Sequence, residues 1–222
     1  MKFTHPQIDR IFDTGCGKIN TLVVENQRFF SELLRDVTSQ LQGFDGQWIV
    51  SEDEKILPFN HSVELLDVFV PFELNRKPLI TKLCSALERY AVMPEMYEMT
   101  GEILTSVSEY LDTLAFEFPN DIVFPKVNIG SVIKGASPEF RDDYDSLGEK
   151  VIDYFELVRQ LDKDKLFVTL NLRSYIDDDE TERFMETVLS HGYHVIMLES
   201  SDRKRLSSEC RLVIDGDLCE ID

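Results

Sequence analysis

The strongest functional candidate in this sequence is a group of carboxylates in one irregular stretch, whose chemistry would be metal binding. Its members are Glu117, Asp121, Glu139, Asp142, Asp143 and Asp145. Prolines and glycines punctuate the stretch from Ala115 to Asp145, so its backbone carbonyls are free to add oxygen ligands. Calcium accepts roughly six to eight oxygens in flexible geometry, whereas magnesium demands an octahedron. No EF-hand pattern is present, and a solvated acidic surface explains these residues about equally well.

Positive side chains alternate with these carboxylates. They are Lys126, Lys134 and Arg141. If bound cations neutralised the neighbouring carboxylates, these side chains would be placed to meet a phosphate backbone. Ordinary ion pairing on the surface, which adds little to stability, explains them as well. The residues alone leave both interpretations open.

The sequence predicts that a nucleotide site is absent. The run Thr14–Lys18 contains a Gly-Lys pair, but a phosphate loop needs G-x-x-x-x-G-K-[ST] between a strand and a helix. Ile19 stands where Ser or Thr is required, and a strand pattern follows. Asn171 ends a strand at which a nucleotide hydrolase would often hold an acidic magnesium ligand, and an amide binds a hard cation more weakly. Both observations argue against catalysis.

The other reactive residue types lack a recognisable setting. Helix capping explains the acidic run Asp177–Glu180 better than metal binding does. The histidines show no metal-ligand spacing, and the cysteines form no C-x-x-C pair. The serines lie in no nucleophile motif. We therefore expect no catalytic residue, zinc site or disulfide framework.

The formal net charge of −19 bears on every candidate ligand. A field of this sign repels nucleic acid and anionic membranes at long range. Solubility is one explanation for it, and capture of divalent cations, which would locally reverse the field, is another. No apolar run approaches the length of a membrane span or a signal peptide, and the cysteines are scattered, so we expect a cytoplasmic protein.

Strand patterns alternate with helical patterns near both ends of the chain, which predicts an α/β fold with a mainly parallel, covered sheet. The β-rich runs are Ile19–Glu25, Gln47–Val50, Val63–Val70, Leu166–Asn171, Tyr193–Glu199 and Arg211–Asp215. We expect residues 1–74 and 162–222 to form one sheet domain, the head.

Residues 75–161 are predicted to form a mostly helical insertion, the leg. Asn75 is expected to cap its first helix, and Pro94 opens a second, so that the pair forms a hairpin. The irregular acidic segment follows. The capping box at 146–149 then begins a helix with apolar residues three and four apart. That spacing is typical of helix-on-helix packing, so we expect this helix to lie against the hairpin.

The order of these segments resembles a known family. The segments are KINTLVVEN, HSVELLDVFVPFELN, LAFEFPNDI, KLFVTLNLRSYIDDDE, HVIMLES and RLVIDGDLCEI. Their succession is similar to that of the small DNA-end-binding accessory protein of type II-A CRISPR systems, which works in spacer acquisition for antiviral defence. The resemblance covers nearly the whole chain and rests on hydrophobic segments rather than on catalytic motifs.

The resemblance implies a head like a P-loop ATPase without ATPase activity, and a protruding helical leg. It implies a homotetrameric ring that holds calcium and threads linear duplex DNA through a lysine-lined hole. Its implied partners are the CRISPR integrase complex and the effector nuclease. The implied calcium ligands are Glu117, Asp121, Glu139, Asp142 and Asp143, and the implied DNA contacts are Lys126, Lys134 and Arg141.

Two rival functions remain open at this point. The same carboxylates would serve a divergent metal-dependent nuclease or nucleotide hydrolase. Alternatively, the apolar seam of the helical hairpin would suit a protein-only adaptor, whose partner complex is indifferent to DNA and calcium.

Overall fold

The computed structural model describes residues 1–124 and 126–222. These residues form two compact units. The first unit, here called the sheet unit, comprises Met1–Glu73 and Asp142–Asp222. The second, here called the helical unit, comprises Leu74–Arg141.

Strands and helices alternate along much of the described chain. The strands are β1 (Lys2–Thr4), β2 (Phe12–Asp13), β3 (Ile19–Val24), β4 (Ile49–Glu52), β5 (Lys55–Ile56), β6 (Val63–Leu66), β7 (Leu166–Leu170), β8 (His194–Glu199), β9 (Glu209–Ile214) and β10 (Glu220–Ile221). The helices are α1 (Gln27–Leu41), α2 (Phe59–Ser62), α3 (Lys77–Ala91), α4 (Pro94–Phe116), α5 (Ile129–Gly135), α6 (Leu147–Leu161) and α7 (Asp178–His191), with a 3-10 turn at Leu172–Ser174.

The larger sheet confirms the predicted α/β fold with a mainly parallel sheet. Its strand order is β10-β9-β3-β8-β7-β6, and only β10 runs antiparallel among the described strands. The central strand β3 is buried along its whole length. Successive side chains of a strand point to opposite faces, so burial at every position requires cover on both faces of the sheet, which a parallel sheet obtains from helices.

One face of this sheet packs on α1 and on a second, smaller sheet. Leu22, Leu198 and Leu212 project from neighbouring strands into a core that includes Leu33 of α1. The smaller sheet has the order β2-β1-β4-β5 and is antiparallel. The expectation that the run at 47–50 joins a single sheet is therefore wrong. The strand in this run, β4, pairs instead with β1 near the start of the chain, and the periodicity of the sequence does not reveal that partner.

The opposite face packs on α6 and α7. The ring of Phe155 in α6 stacks on that of Phe167 in β7 with centroids 4.0 Å apart, and it meets Phe184 of α7 edge-on. The expectation that α6 lies against the helical hairpin is thus wrong, because its apolar stripe fits a sheet and a neighbouring helix equally well. The chain re-enters the sheet unit at Asp142, where the sequence placed the return at residue 162.

The helical unit is built on α3 and α4, which only Val92 and Met93 join, as a hairpin requires. Thr100 of α4 donates a hydrogen bond to the carbonyl of Ala91 at 2.7 Å and closes the turn. A short helix, α5, forms within the segment expected to be irregular, and Asn128 caps it by accepting the amide of Ser131.

Candidate metal and nucleic-acid site

The acidic candidates occupy exposed, irregular chain, but they belong to different units. Glu117 caps the C-terminal end of α4, and Asp121 and Glu139 lie in loops of the helical unit. Asp142 and Asp143 belong to the sheet unit. Their oxygen donors are of the type that calcium prefers. Across residues 1–124 and 126–222, however, no three acidic, histidine or cysteine side chains of one chain are grouped so as to hold a metal ion.

Asp142 is already engaged by a neighbouring cation. Its Oδ1 lies 2.5 Å from Nζ of Lys150 on α6, a side chain that is mostly buried. The adjacent Tyr144 donates its hydroxyl to Asp153 at 2.7 Å, and burial together with that bond raises the pKa of Tyr144. A cation that bound Oδ1 of Asp142 would compete with the lysine for this oxygen.

The hydrogen bonds of Asn75, at the start of the helical unit, differ from the predicted cap of α3. Asn75 does not cap α3, whose N-cap residue is Arg76. Its side chain instead accepts the amide of Phe140 at 2.7 Å and donates to the carbonyl of the same residue at 3.0 Å. This pair of bonds fixes the end of the predicted metal-binding stretch against the beginning of α3.

The predicted DNA contacts lie either near the hydrogen bonds between Asn75 and Phe140 or in a loop. Lys134, in the last turn of α5, lines a cavity of about 460 Å³ together with Glu139 and Lys77. Lys126 is exposed and outside regular structure. Arg141 is exposed and has an interaction partner of its own. The structure thus brings Lys134 and Glu139, one of each charge, to the same cavity.

The carboxyl edge of the larger sheet is the place where nucleotides bind in folds of this class. Strand β3 is followed by α1 after only two residues, Glu25 and Asn26. Asn26 accepts the amide of Phe29 at 3.0 Å and donates to the carbonyl of Gly216 at 2.9 Å. The first helical turn therefore has its own cap, and the connection is too short for a glycine-rich phosphate loop.

Asn171 has a structural task at the same edge. It adopts a left-handed conformation with φ of 54° after β7, a position that asparagine tolerates better than most residues. Its side-chain oxygen accepts the amide of Ser200 at 2.8 Å. The amide predicted to be a poor metal ligand thus ties the end of β7 to the residue after β8.

The acidic run at 177–180 supplies caps and anchors, in line with the sequence interpretation. Asp177 accepts the amide of Glu180 at 2.8 Å and caps α7. Glu180 accepts the amide of Gly148 at 2.8 Å, which ties the start of α6 to α7. Gly192 then ends α7 in the left-handed conformation expected of a terminating glycine.

A buried charge cluster lies under the segment that links β8 to β9, and sequence reasoning missed it. Arg173, Glu199 and Glu209 are at most 3% exposed. The guanidinium of Arg173 lies 3.4 Å from Glu209 and 3.0 Å from Asp178, and its backbone amide donates to Glu199 at 3.2 Å. Nε of Arg173 has no partner among the described residues. The sequence signal that could have indicated this cluster is the position of Glu199 and Glu209 at the ends of apolar strands.

Burial dominates the electrostatics of this cluster. It raises the pKa of Glu199 to about 7, although the amide and the charge of Arg173 act in the opposite direction. The pKa of the nearby Glu182 is shifted in the opposite direction. The hydroxyls and amides of Ser207 and Ser208 donate to its carboxylate and lower its pKa.

A broad apolar surface covers much of α4. Thr100 is the one buried residue in this helix, whose residues are all described. The exposed apolar side chains of the helix are Tyr97, Met99, Ile103, Tyr110, Leu114 and Phe116. Among the described residues, no helix is both long and apolar enough to cross a bilayer.

Comparison with known proteins places these features in context. The chain is 23% identical over 202 residues to a CRISPR-associated protein Csn2 of Streptococcus agalactiae, covering 88% of this chain and 87% of the relative. It is 21% identical over 188 residues to a CRISPR-associated protein Csn2 of Enterococcus faecalis, covering 82% and 83%.

Among solved structures, the chain is similar to a bacterial Atm1-family ABC exporter with ATP bound, at 12% identity and a TM-score of 0.38. The match covers 97% of this chain and 37% of the exporter, and its TM-score is too low to bear on the fold. The family model for the CRISPR-associated protein Cas_Csn2 matches residues 40–218. This match spans well over half of the chain and confirms the resemblance noted in its segments: the chain belongs to the CRISPR-associated Cas_Csn2 family.

Proposed function

We propose that this protein is a non-enzymatic binder of double-stranded DNA ends, which works as a calcium-stabilised homotetrameric ring in the cytoplasm. Family membership over residues 40–218 carries the proposal, because it implies a role in type II-A CRISPR spacer acquisition. The proposed partners are the ends of linear duplex DNA, the CRISPR integrase complex and the effector nuclease.

The edge of the larger sheet supports the absence of catalysis. A phosphate cradle needs free amides at a helix start and a glycine-rich loop before it. The two-residue connection between β3 and α1 contains no glycine-rich loop, and Asn26 already accepts the amide of Phe29 at the start of the helix. The side-chain oxygen of Asn171 already accepts a hydrogen bond from the amide of Ser200. We propose, on the family resemblance, that the sheet unit is a degenerate relative of P-loop ATPases; its mainly parallel sheet and the missing glycine-rich loop are consistent with that proposal.

The apolar surface of α4 supports assembly into a ring. Soluble monomers rarely expose contiguous apolar patches of more than a few hundred Å², and larger patches mark interaction sites. Phe116, at the end of this helix, is 89% exposed. Contact with a second copy of the chain would remove this surface from water, at a gain of about 25 cal/mol per Å² buried.

The charge of the chain supports a role for calcium. A subunit that carries −19 is repelled both by its own copies and by DNA. Divalent cations on exposed carboxylates would weaken both repulsions. The proposed ligands are Glu117, Asp121, Glu139, Asp142 and Asp143, and the proposed DNA contacts are Lys126, Lys134 and Arg141.

Solution mass measured by light scattering tests the assembly. We expect a tetramer in calcium that dissociates or loosens when a chelator is added. The double variant Glu117→Gln with Asp121→Asn should shift the calcium requirement to higher concentrations. Glu186→Gln with Asp164→Asn, on exposed positions of the sheet unit away from α4, is the control of equal charge change. A mass that is the same in calcium and in chelator would reject the metal dependence.

A further inference from the structure

The segment that links β8 to β9, residues 200–208 and here called the strap, carries an unusual charge. It contains Arg203, Lys204 and Arg205, which form the longest uninterrupted run of basic residues in the sequence. All of them are exposed. The run stands out because the whole chain has 42 acidic residues against 23 basic ones.

The strap is fixed at several points along its length. The amide of Ser200 donates to Asn171 at 2.8 Å, and Arg173 donates to the carbonyl of Lys204 at 2.8 Å. Further along, the amide of Leu206 donates to buried Glu209 at 3.0 Å. Glu182 accepts the amide of Ser208 at 3.0 Å. The backbone of the basic run is therefore held in place before any ligand arrives, which lowers the entropy lost on binding.

The positive and negative side chains around the strap differ in exposure and in bonding. Within the described part of the chain, Arg203, Lys204 and Arg205 form no ion pair with a carboxylate. The guanidinium of Arg203 donates to the hydroxyl of Ser174 at 3.2 Å, and the backbone amide of Arg203 donates to Asp202 at 2.9 Å. The one carboxylate of the strap, Asp202, is taken up by Arg211 at 2.5 Å. Cations consequently face the solvent, while the nearby carboxylates are buried or already bound.

We propose that the strap is a contact site for the phosphate backbone of DNA, an inference that rests on the proposed function. Consecutive solvent-facing cations on a fixed backbone suit a polyanion, which they bind without reading its sequence. A protein partner fits less well, because the anchors of protein interfaces are aromatic side chains and arginines that lie in well-packed, desolvated pockets, and the strap presents no aromatic residue beside its cations. The apolar side chain of the strap, Leu206, is partly buried rather than presented to the solvent.

Salt-dependent binding of the full-length protein to a fluorescent linear duplex in calcium tests this site. The test variant is Arg203→Ala with Lys204→Ala and Arg205→Ala. The control of equal charge change is Lys18→Ala with Lys55→Ala and Lys163→Ala, all at exposed positions of the sheet unit. Circular dichroism of both variants checks that they fold.

Each phosphate contact contributes about 0.9 to the slope of log K against log salt. For each subunit whose strap contacts the duplex, the strap variant should therefore lose up to about 2.7 from that slope, and roughly eightfold in affinity per lost contact in 0.1 M salt. The control should change the slope little. The charge-preserving variant Arg203→Lys with Arg205→Lys should bind like the wild type.

Two results would overturn the assignment while the proposed function stands. In one, the wild type binds duplex and the strap variant binds equally well, as expected if the strap serves an acidic protein. In the other, the strap variant and the lysine control lose the same slope, so that only the average charge matters. Failure of the wild type itself to bind would instead reject the proposed function, and the strap site with it.

Discussion

Replacing Glu199 with glutamine is expected to remove a pH-dependent weakness from the sheet unit. Glu199 is 2% exposed, and burial raises its pKa to about 7 from the ordinary 4.5. The folded chain therefore holds this proton more tightly than the unfolded chain does. The stability contributed by Glu199 is fully present below about pH 4.5 and is lost as pH rises through about 7.

The magnitude follows from the size of the shift. A difference of about 2.5 pKa units, at roughly 1.4 kcal/mol per unit, amounts to about 3 to 4 kcal/mol between acid and alkaline conditions. Glutamine resembles the protonated acid and keeps the oxygen that accepts the amide of Arg173 at 3.2 Å. The variant should thus exceed the wild type by less than about 1 kcal/mol at pH 5 and by about 3 to 4 kcal/mol at pH 9.

Urea denaturation of both proteins at a series of pH values between 5 and 9 measures this difference. Taking the difference between the two curves removes the contributions of the other titrating groups. Glu186→Gln, at an exposed position on α7, serves as the control and should give a flat difference. A flat difference for Glu199→Gln as well would refute the reasoning, because it would mean that this carboxyl has the same affinity for protons in both states.

Three further substitutions test the packing around the strap and the sheet. Arg173→Met should cost about 3 to 5 kcal/mol in unfolding free energy because it leaves buried carboxylates unpaired, whereas exposed Arg203→Met should change it by less than about 0.5. Phe155→Ala should cost about 3 to 5 kcal/mol, and a loss below about 1 would contradict its place in the core. Glu182→Ala should cost about 1 to 3 kcal/mol at pH 7, and this deficit should shrink on acidification, since the lowered pKa of Glu182 confines its contribution to higher pH.

Local patterns in the sequence were sufficient to predict the central sheet. The mostly apolar run of β7 places apolar side chains on both faces of the strand and so predicts a buried parallel strand. Ser146, Asp177 and Gly192 mark helix ends through bonds to their nearest neighbours along the chain. Such features can be read from a sequence because all of the interacting groups lie within a few residues.

Features that depend on distant residues could not be predicted. Strand β4 pairs with β1 across more than forty residues, and its composition does not reveal that partner. The stripe of α6 has the spacing of a helix seam but packs on Phe167 of the sheet. Arg173 and Glu209 resemble surface residues in the sequence, but both are buried in the structure, where they form hydrogen bonds to the backbone of the strap.

The candidate site was predicted by residue type and not by geometry. The sequence indicates which oxygen and cationic side chains are available in the stretch from 115 to 145. It does not indicate that Asp142 pairs with Lys150 or that Asn75 holds the backbone of Phe140. Coordination depends on the relative positions of loops, and periodicity carries no information about them.

Binding of linear and covalently closed circular duplex of the same sequence, with calcium and with a chelator, tests the central claim most directly. A ring that accepts DNA ends should retain the linear form in calcium, release it on chelation, and leave the closed circle unbound. Failure to retain linear duplex in calcium would contradict the account, and equal retention of the circle would contradict recognition of DNA ends.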